Sequence, residues 1–331
     1  MPHSLTELPD TTKSYGDFRD DLFRDGFVVI KEAISEDSAE KYKDSMIQWL
    51  ETFPLGFDRH NPDTWTEENL PAHWKGGMYH GYSVAHEKFV WDARQEPGVL
   101  DAFKTIWGTD ELLSSFDGIN LTLPPPGPSP GPGTPWEHVD QSPHLKGIQC
   151  IQGILNLCPN GNVDGGLMVL KGSHVLNEKF FKIHGTEKKA EWGVVPDDWH
   201  GFNAEERKWF EENGAVEVKV NCGPGDLILW DSRLVHWNVR PVSKQTRALF
   251  YVCYTPASFS SKEELAKKKQ IFEARERTTH WPHRNFWKAD KIQRFGKADL
   301  LHRDRPSTEP ELTDKLLKLA GAKPYCTEVE A

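Results

Sequence analysis

Thr134-Pro135-Trp136-Glu137-His138-Val139-Asp140 brings an imidazole and a carboxylate two positions apart. In an extended strand successive side chains alternate faces, so His138 and Asp140 point the same way. Two such groups are two of the three ligands of a facial metal triad, which leaves the opposite side of the ion open to other molecules. A third ligand and a counter-charge would have to come from elsewhere. Downstream, Gly223-Pro224-Gly225-Asp226 is a turn signal, followed by the apolar run Leu227–Asp231 and then by His236. Arg247 follows, opening Arg247-Ala248-Leu249-Phe250-Tyr251-Val252-Cys253-Tyr254, a run rich in aromatic and branched residues with strand character. A guanidinium there stays charged at any working pH, and its planar fork matches a carboxylate. A second His-x-Asp, His302-Arg303-Asp304, lies among Asp, Arg and Pro and reads as a surface loop.

With these residues in this order the chain resembles the phytanoyl-CoA dioxygenase-like group of Fe(II)/2-oxoglutarate oxygenases. The resemblance rests on Trp136–Asp140, on Gly165-Gly166-Leu167 leading to Lys171-Gly172-Ser173-His174, on Pro224-Gly225-Asp226, and on His236 and Arg247; it spans roughly residues 15–256. It implies that His138, Asp140 and His236 hold Fe(II) and are the catalytic centre. Arg247 would then anchor the distal carboxylate of 2-oxoglutarate, and O2 is the oxidant. Decarboxylation of 2-oxoglutarate to succinate and CO2 would drive oxidation of an unactivated C–H bond, by hydroxylation or by desaturation or rearrangement. Asp140 argues against halogenation, since related halogenases lack that carboxylate. Facing direction adds Gln152, Asn156, Asn238 and Asn120 as candidate contacts to the co-substrate. Tyr79, His80, Tyr82, Trp91 and Trp237 are candidates for the substrate wall. Two alternatives stand beside this reading: a jelly-roll metalloenzyme that does not use 2-oxoglutarate, and a non-catalytic binding member of the same fold.

The elements that must position these residues are mostly strands. Val216, Val218 and Val220 alternate with polar neighbours, and Phe116–Leu123, Gly147–Leu157 and Leu167–Leu170 also read as strands. Many strands with few crossover helices favour a mainly β fold with flanking helices, its core a double-stranded β-helix of the jelly-roll or cupin-like kind. Helices are predicted over Tyr15–Asp25, Ser35–Phe53, Pro97–Trp107, Asp110–Ser115, Phe202–Glu212 and Ser261–Thr279. The domain plan is a disordered leader over 1–14, an oxygenase domain over 15–256, and a C-terminal helix and polar tail over 257–331 packed on the same domain. Residues 54–96 lack a period yet are rich in aromatics and histidines, which marks them as a substrate-covering segment. Pro124–Pro135 is a stiff Pro/Gly loop delivering the metal strand.

The formal net charge of −10 without a compensating basic block disfavours nucleic acid and anionic membranes as partners. A small-molecule substrate and a monomer or homodimer are expected. Five scattered cysteines without Cys-x-x-Cys indicate reduced, mostly buried thiols. With no apolar leader, no spanning run and a C-terminus that is not a peroxisomal address, the expected location is cytoplasmic.

Overall fold

The structure, a computed structural model, describes residues 8–125, 133, 135–187, 198–284, 286 and 292–325. In chain order its elements are α1 (Phe18–Asp25), β1 (Phe27–Ile30), α2 (Glu36–Glu51), β2 (Met78–Tyr79), α3 (Lys88–Arg94), α4 (Pro97–Trp107), β3 (Leu112–Ser114) and β4 (Ile119–Thr122). There follow β5 (His138–Val139), β6 (Ile151–Asn156), β7 (Gly166–Lys171), α5 (Ser173–His184), β8 (His200–Gly201), α6 (Ala204–Glu212) and β9 (Val216–Lys219). The chain continues through β10 (Leu227–Asp231), β11 (His236–Val239), β12 (Arg247–Pro256), α7 (Lys262–Glu273) and α8 (Asp314–Leu319).

Local chemistry sets the ends of the helices. Asp17 caps α1 by accepting from the Arg19 N–H, and Ser35 caps α2 by accepting from Ser38. Ser261 and Glu264 form a reciprocal capping box on α7. Two antiparallel sheets make the jelly roll. One has the order β1-β10-β6-β12-β4-β2, with β3 on the far end of β12; the other has the order β8-β5-β11-β7-β9. Between them lie Ile154, Leu167, Val169, Ile228, Trp230 and Leu249. Helices α2–α4 cover the outer face of the larger sheet, burying Trp49, Leu50, Trp91, Phe103 and Phe250 in one cluster. On the smaller sheet α5 and α6 bring Phe180, Phe181 and Phe210 against Val139 and Trp237. The turn before β10 needs Gly225: its φ is +82°, and a Cβ there would lie 2.2 Å from the Ile34 carbonyl oxygen.

Several expectations are corrected. Asp110–Ser115 is not a helix; Leu112–Ser114 pairs with Thr255 and its neighbours as β3. A segment that short gains little from helical hydrogen bonds, whereas the pairing buries Leu112 and Leu113 completely. The helix expected to reach Thr279 stops at Glu273, where Arg275 turns left-handed at φ +57°. Helix α5 was not anticipated, and the segment 54–96 contains α3 and three short 3-10 turns. Residues 8–14, expected as part of a disordered leader, form a turn in which Asp10 accepts from the Thr12 N–H and hydroxyl. Residues 1–7, most of the Pro/Gly loop and Cys326 lie outside the described residues. Cys150, Cys158, Cys222 and Cys253 are buried free thiols. Among the described residues no helix is long and apolar enough to cross a membrane.

The tail docks onto the barrel through His283, whose Nδ1 lies 3.0 Å from Thr255 Oγ1 between the rings of Phe259 and Trp281. Burial, reinforced by the charges of Arg284 and Lys268, pushes this imidazole down to about 3. An unfolded histidine titrates near 6.5, so between those values the unfolded chain binds a proton that the folded chain refuses. Stability therefore falls as pH drops from about 6.5 towards 3. Urea midpoints are expected to be lower at pH 5 than at pH 7.5, and His283→Gln should shrink that difference; an unchanged difference would remove His283 as its source.

Candidate metal centre

Strands β5 and β11 pair antiparallel with His138 directly opposite His236. The two imidazoles, far apart in the chain, thereby meet with ring centroids 4.2 Å apart, 4% and 3% exposed. Each Nδ1 faces the carbonyl oxygen two residues earlier: His138 to Trp136 O at 3.0 Å and His236 to Leu234 O at 2.9 Å. A carbonyl only accepts, so each Nδ1 carries the proton and each Nε2 keeps its lone pair. Both Nε2 atoms point at one carboxylate. His138 Nε2 is 3.6 Å from Asp140 Oδ1, and His236 Nε2 is 3.2 Å from Asp140 Oδ2.

Two lone pairs facing an anion in a buried site repel unless a cation lies between them. Metal bonds of about 2.1 Å at right angles place donor atoms about 3 Å apart, close to the separations found. The donor set fits an ion that accepts imidazole nitrogen and carboxylate oxygen on one face. Burial, and then the neighbouring His236, hold His138 below the ordinary imidazole value.

The surroundings fix the geometry. Asp140 donates its backbone N–H to Ser232 O at 2.9 Å, and its Oδ2 accepts from Gln152 Nε2 at 3.0 Å. Trp136 stacks on His138 with centroids 4.3 Å apart and planes 12° apart. Gln152 thus holds the carboxylate of the triad from the cavity wall. Gln152→Leu is expected to weaken metal binding about 10–100-fold, the usual cost of losing such an outer partner; dialysis against Fe(II) measures it, and unchanged affinity would show the bond is dispensable.

Arg247 leaves β12 opposite Thr122 and lies inside the barrel, 7% exposed. Its Nη2 donates to Asn238 Oδ1 at 3.2 Å, and the Tyr251 side chain lies beside it. Among the described residues no carboxylate pairs with this guanidinium. A buried, fixed cation with spare donors is a site for an anion.

A cavity of about 1050 Å³ opens over the triad. His80 and Tyr82 line it, whereas three other expected wall residues do not. Trp237 alternates with His236 and Asn238, so it faces the opposite side of β11, where it packs on the outer cluster with Arg207 over its ring. Tyr79 and Trp91 are buried in the helix-covered core. Asn156 is also displaced from its expected role: its Nδ2 donates to Cys158 O at 2.5 Å and Gly223 O at 2.7 Å, bracing a turn. Asn120 accepts from Thr122 Oγ1 at 3.0 Å and lies near Tyr251.

Other wall residues escaped the sequence reading: Trp199, Trp230, Tyr251, Asp117, and the C-terminal stretches 274–280 and 302–304. Tyr251 could have been found, because it shares a strand face with Arg247. His302, read as a surface loop, bonds Asp304 at 3.0 Å at the cavity. Tyr82 ties the covering segment to the tail, donating to the Asp299 carboxylate and accepting from the Ala72 N–H.

Known proteins share much of this chain. The family model described as phytanoyl-CoA dioxygenase (PhyH) matches residues 22–248. "Ava biosynthesis cluster protein O" of Aspergillus versicolor is 45% identical over 82% of this chain and 87% of its own. A putative phytanoyl-CoA dioxygenase of Dictyostelium discoideum is 20% identical over 75% of this chain and 78% of its own. Among solved structures, EctD from S. alaskensis with bound Fe aligns at TM-score 0.51 with 14% identity, covering 78% of this chain and 83% of that one. GIG2 from Candida albicans aligns at 0.53 with 16% identity, covering 82% and 69%. These two likenesses are of fold, and they agree with the jelly roll described above.

Proposed function

The chain belongs to the phytanoyl-CoA dioxygenase family, and from that premise we propose that it is an Fe(II)- and 2-oxoglutarate-dependent dioxygenase acting on an unactivated C–H bond of a small molecule. The observation that carries this reading is the convergence of His138 Nε2, His236 Nε2 and the Asp140 carboxylate on one point, in the same barrel as a guanidinium that has no carboxylate partner among the described residues. Iron, when bound, supplies the coupling of 2-oxoglutarate decarboxylation to oxidation of the substrate.

The protein's part is orientation and dryness. His138, Asp140 and His236 would hold the ion from one side and leave the other to the co-substrate and oxygen. Arg247 offers two parallel donors to the distal carboxylate, which fixes the reach of the dicarboxylate along the barrel. A metalloenzyme that did not use 2-oxoglutarate would have no need of a buried guanidinium at that depth. Trp136, Trp199 and Trp230 beside the triad shield it from bulk water.

The cavity is roomier than 2-oxoglutarate alone requires and is of the size that encloses drug-sized ligands. That size, and a relative named for a biosynthesis cluster, support a specialised metabolite as the substrate, oxidised by hydroxylation or by desaturation or rearrangement. The test is succinate release from 2-oxoglutarate by the purified protein with Fe(II) and oxygen, where some uncoupled turnover is expected even without substrate. No succinate above a metal-free control, with substrate candidates present, would overturn the proposal.

A further inference from the structure

The metal triad lines the cavity, and His80 and Asp117 form a second polar pair on its wall. Asp117 lies between Phe116, which is fully buried, and Gly118, at the entry to β4. One carboxylate oxygen, Oδ1, accepts the Gly118 N–H at 2.7 Å. His80 Nδ1 is 3.4 Å from that same oxygen, too poorly directed for a hydrogen bond, and this buried nitrogen has no other partner. Oδ2 receives no hydrogen bond among the described residues.

The pair is built into the fold. A Cβ on residue 118 would lie 2.0 Å from Tyr79 O and 2.8 Å from His80 Nδ1, so the glycine clears the space in which the imidazole sits. Tyr251 stacks along the other side of the His80 ring, with centroids 6.4 Å apart and planes 13° apart. Behind Asp117, the buried Arg94 donates to the carbonyl oxygens of Ala85 at 2.6 Å and Asp117 at 2.8 Å, not to the carboxylate. The anion is left facing the cavity with half its acceptor capacity unused.

We infer that His80 and Asp117 form a recognition site, separate from the metal triad, for a protonated amine of the substrate. The inference rests on the reading of this cavity as the substrate chamber. Burial works to raise the Asp117 carboxyl, but the neighbouring His80 and the Gly118 N–H outweigh it, so the group is held ionised. A largely buried carboxylate with one oxygen left without a donor is costly. An ammonium removes that cost by donating to Oδ2, in a charge-assisted bond about twice as strong as a neutral one. An alcohol would donate without cancelling the charge, and a carboxylate ligand would be repelled.

The test is a ligand-observed NMR titration of the purified full-length protein with phenethylamine, phenethyl alcohol and phenylacetate. Phenethylamine is expected to bind about tenfold or more tightly than the alcohol, with phenylacetate weakest. Asp117→Asn keeps an acceptor for the Gly118 N–H and should erase the preference for the amine. Equal binding of amine and alcohol by the wild-type protein, preferred binding of phenylacetate, no binding of the amine, or an amine preference undiminished in a folded D117N protein would each overturn the assignment. The wild-type selectivity decides the matter even where the variant does not fold. The titration needs neither oxygen nor turnover. Amine selectivity without succinate release therefore refutes the oxygenase reading alone, and succinate release without amine selectivity refutes this site alone.

Discussion

His236→Ala is expected to abolish iron-dependent succinate formation and to lower Fe(II) affinity by more than the roughly 10–100-fold that follows loss of an outer partner. The imidazole is one of the three donors that converge among the described residues, and water cannot replace a nitrogen held in place by the Leu234 carbonyl and by the pairing of β11 with β5. The backbone pairing does not depend on the ring, so the sheet should survive. The variant is therefore expected to keep the wild-type circular dichroism while losing metal in equilibrium dialysis. Near wild-type iron binding by a folded variant would take His236 out of the triad. His138→Ala should behave alike, because the two rings meet the same carboxylate from opposite strands.

Arg247→Leu separates co-substrate binding from metal binding. Hydrogen bonds to charged groups contribute about 1.5–3 kcal/mol, so the apparent 2-oxoglutarate requirement should rise by roughly 10–150-fold. Iron affinity should stay near the wild-type value, since the guanidinium bonds Asn238 and not a triad residue. Lysine at 247 should restore little, because a point charge cannot reproduce the two parallel donors. An unchanged requirement for 2-oxoglutarate in the leucine variant would move the anchor elsewhere in the barrel.

His138 and Asp140 were legible together because alternation acts along one strand, whereas His236 joined them through the family resemblance, since only the pairing of β5 with β11 brings it there. The period-2 alternation that puts His138 and Asp140 on one side also puts His236 and Asn238 on one side. The same rule, applied consistently, sends Trp237 outward, and overlooking it placed that residue in the substrate wall. Tyr79, at the end of β2 just before His80, failed for the same reason. Residues whose roles depend on pairing between distant strands, and which the resemblance did not supply, were not legible. Nothing local to Leu112–Ser114 announces that β12 is waiting for it, and nothing local to Gln152 announces Asp140. The C-terminal wall of the cavity was hidden for a related reason. Its polar residues read as solvated in isolation, and it takes tertiary contacts such as those of Tyr82 with Asp299 and of Arg303 with Thr52 to bring this stretch to the cavity.

A crystal of the protein grown anaerobically with Fe(II) and 2-oxoglutarate, measured at the iron absorption edge, tests the arrangement most directly. The expected result is a single strong anomalous peak within bonding distance of both imidazole Nε2 atoms and the carboxylate at 140, with the free end of the dicarboxylate on the guanidinium at 247. A peak elsewhere, or a co-substrate whose distal carboxylate avoids that guanidinium, would contradict the account.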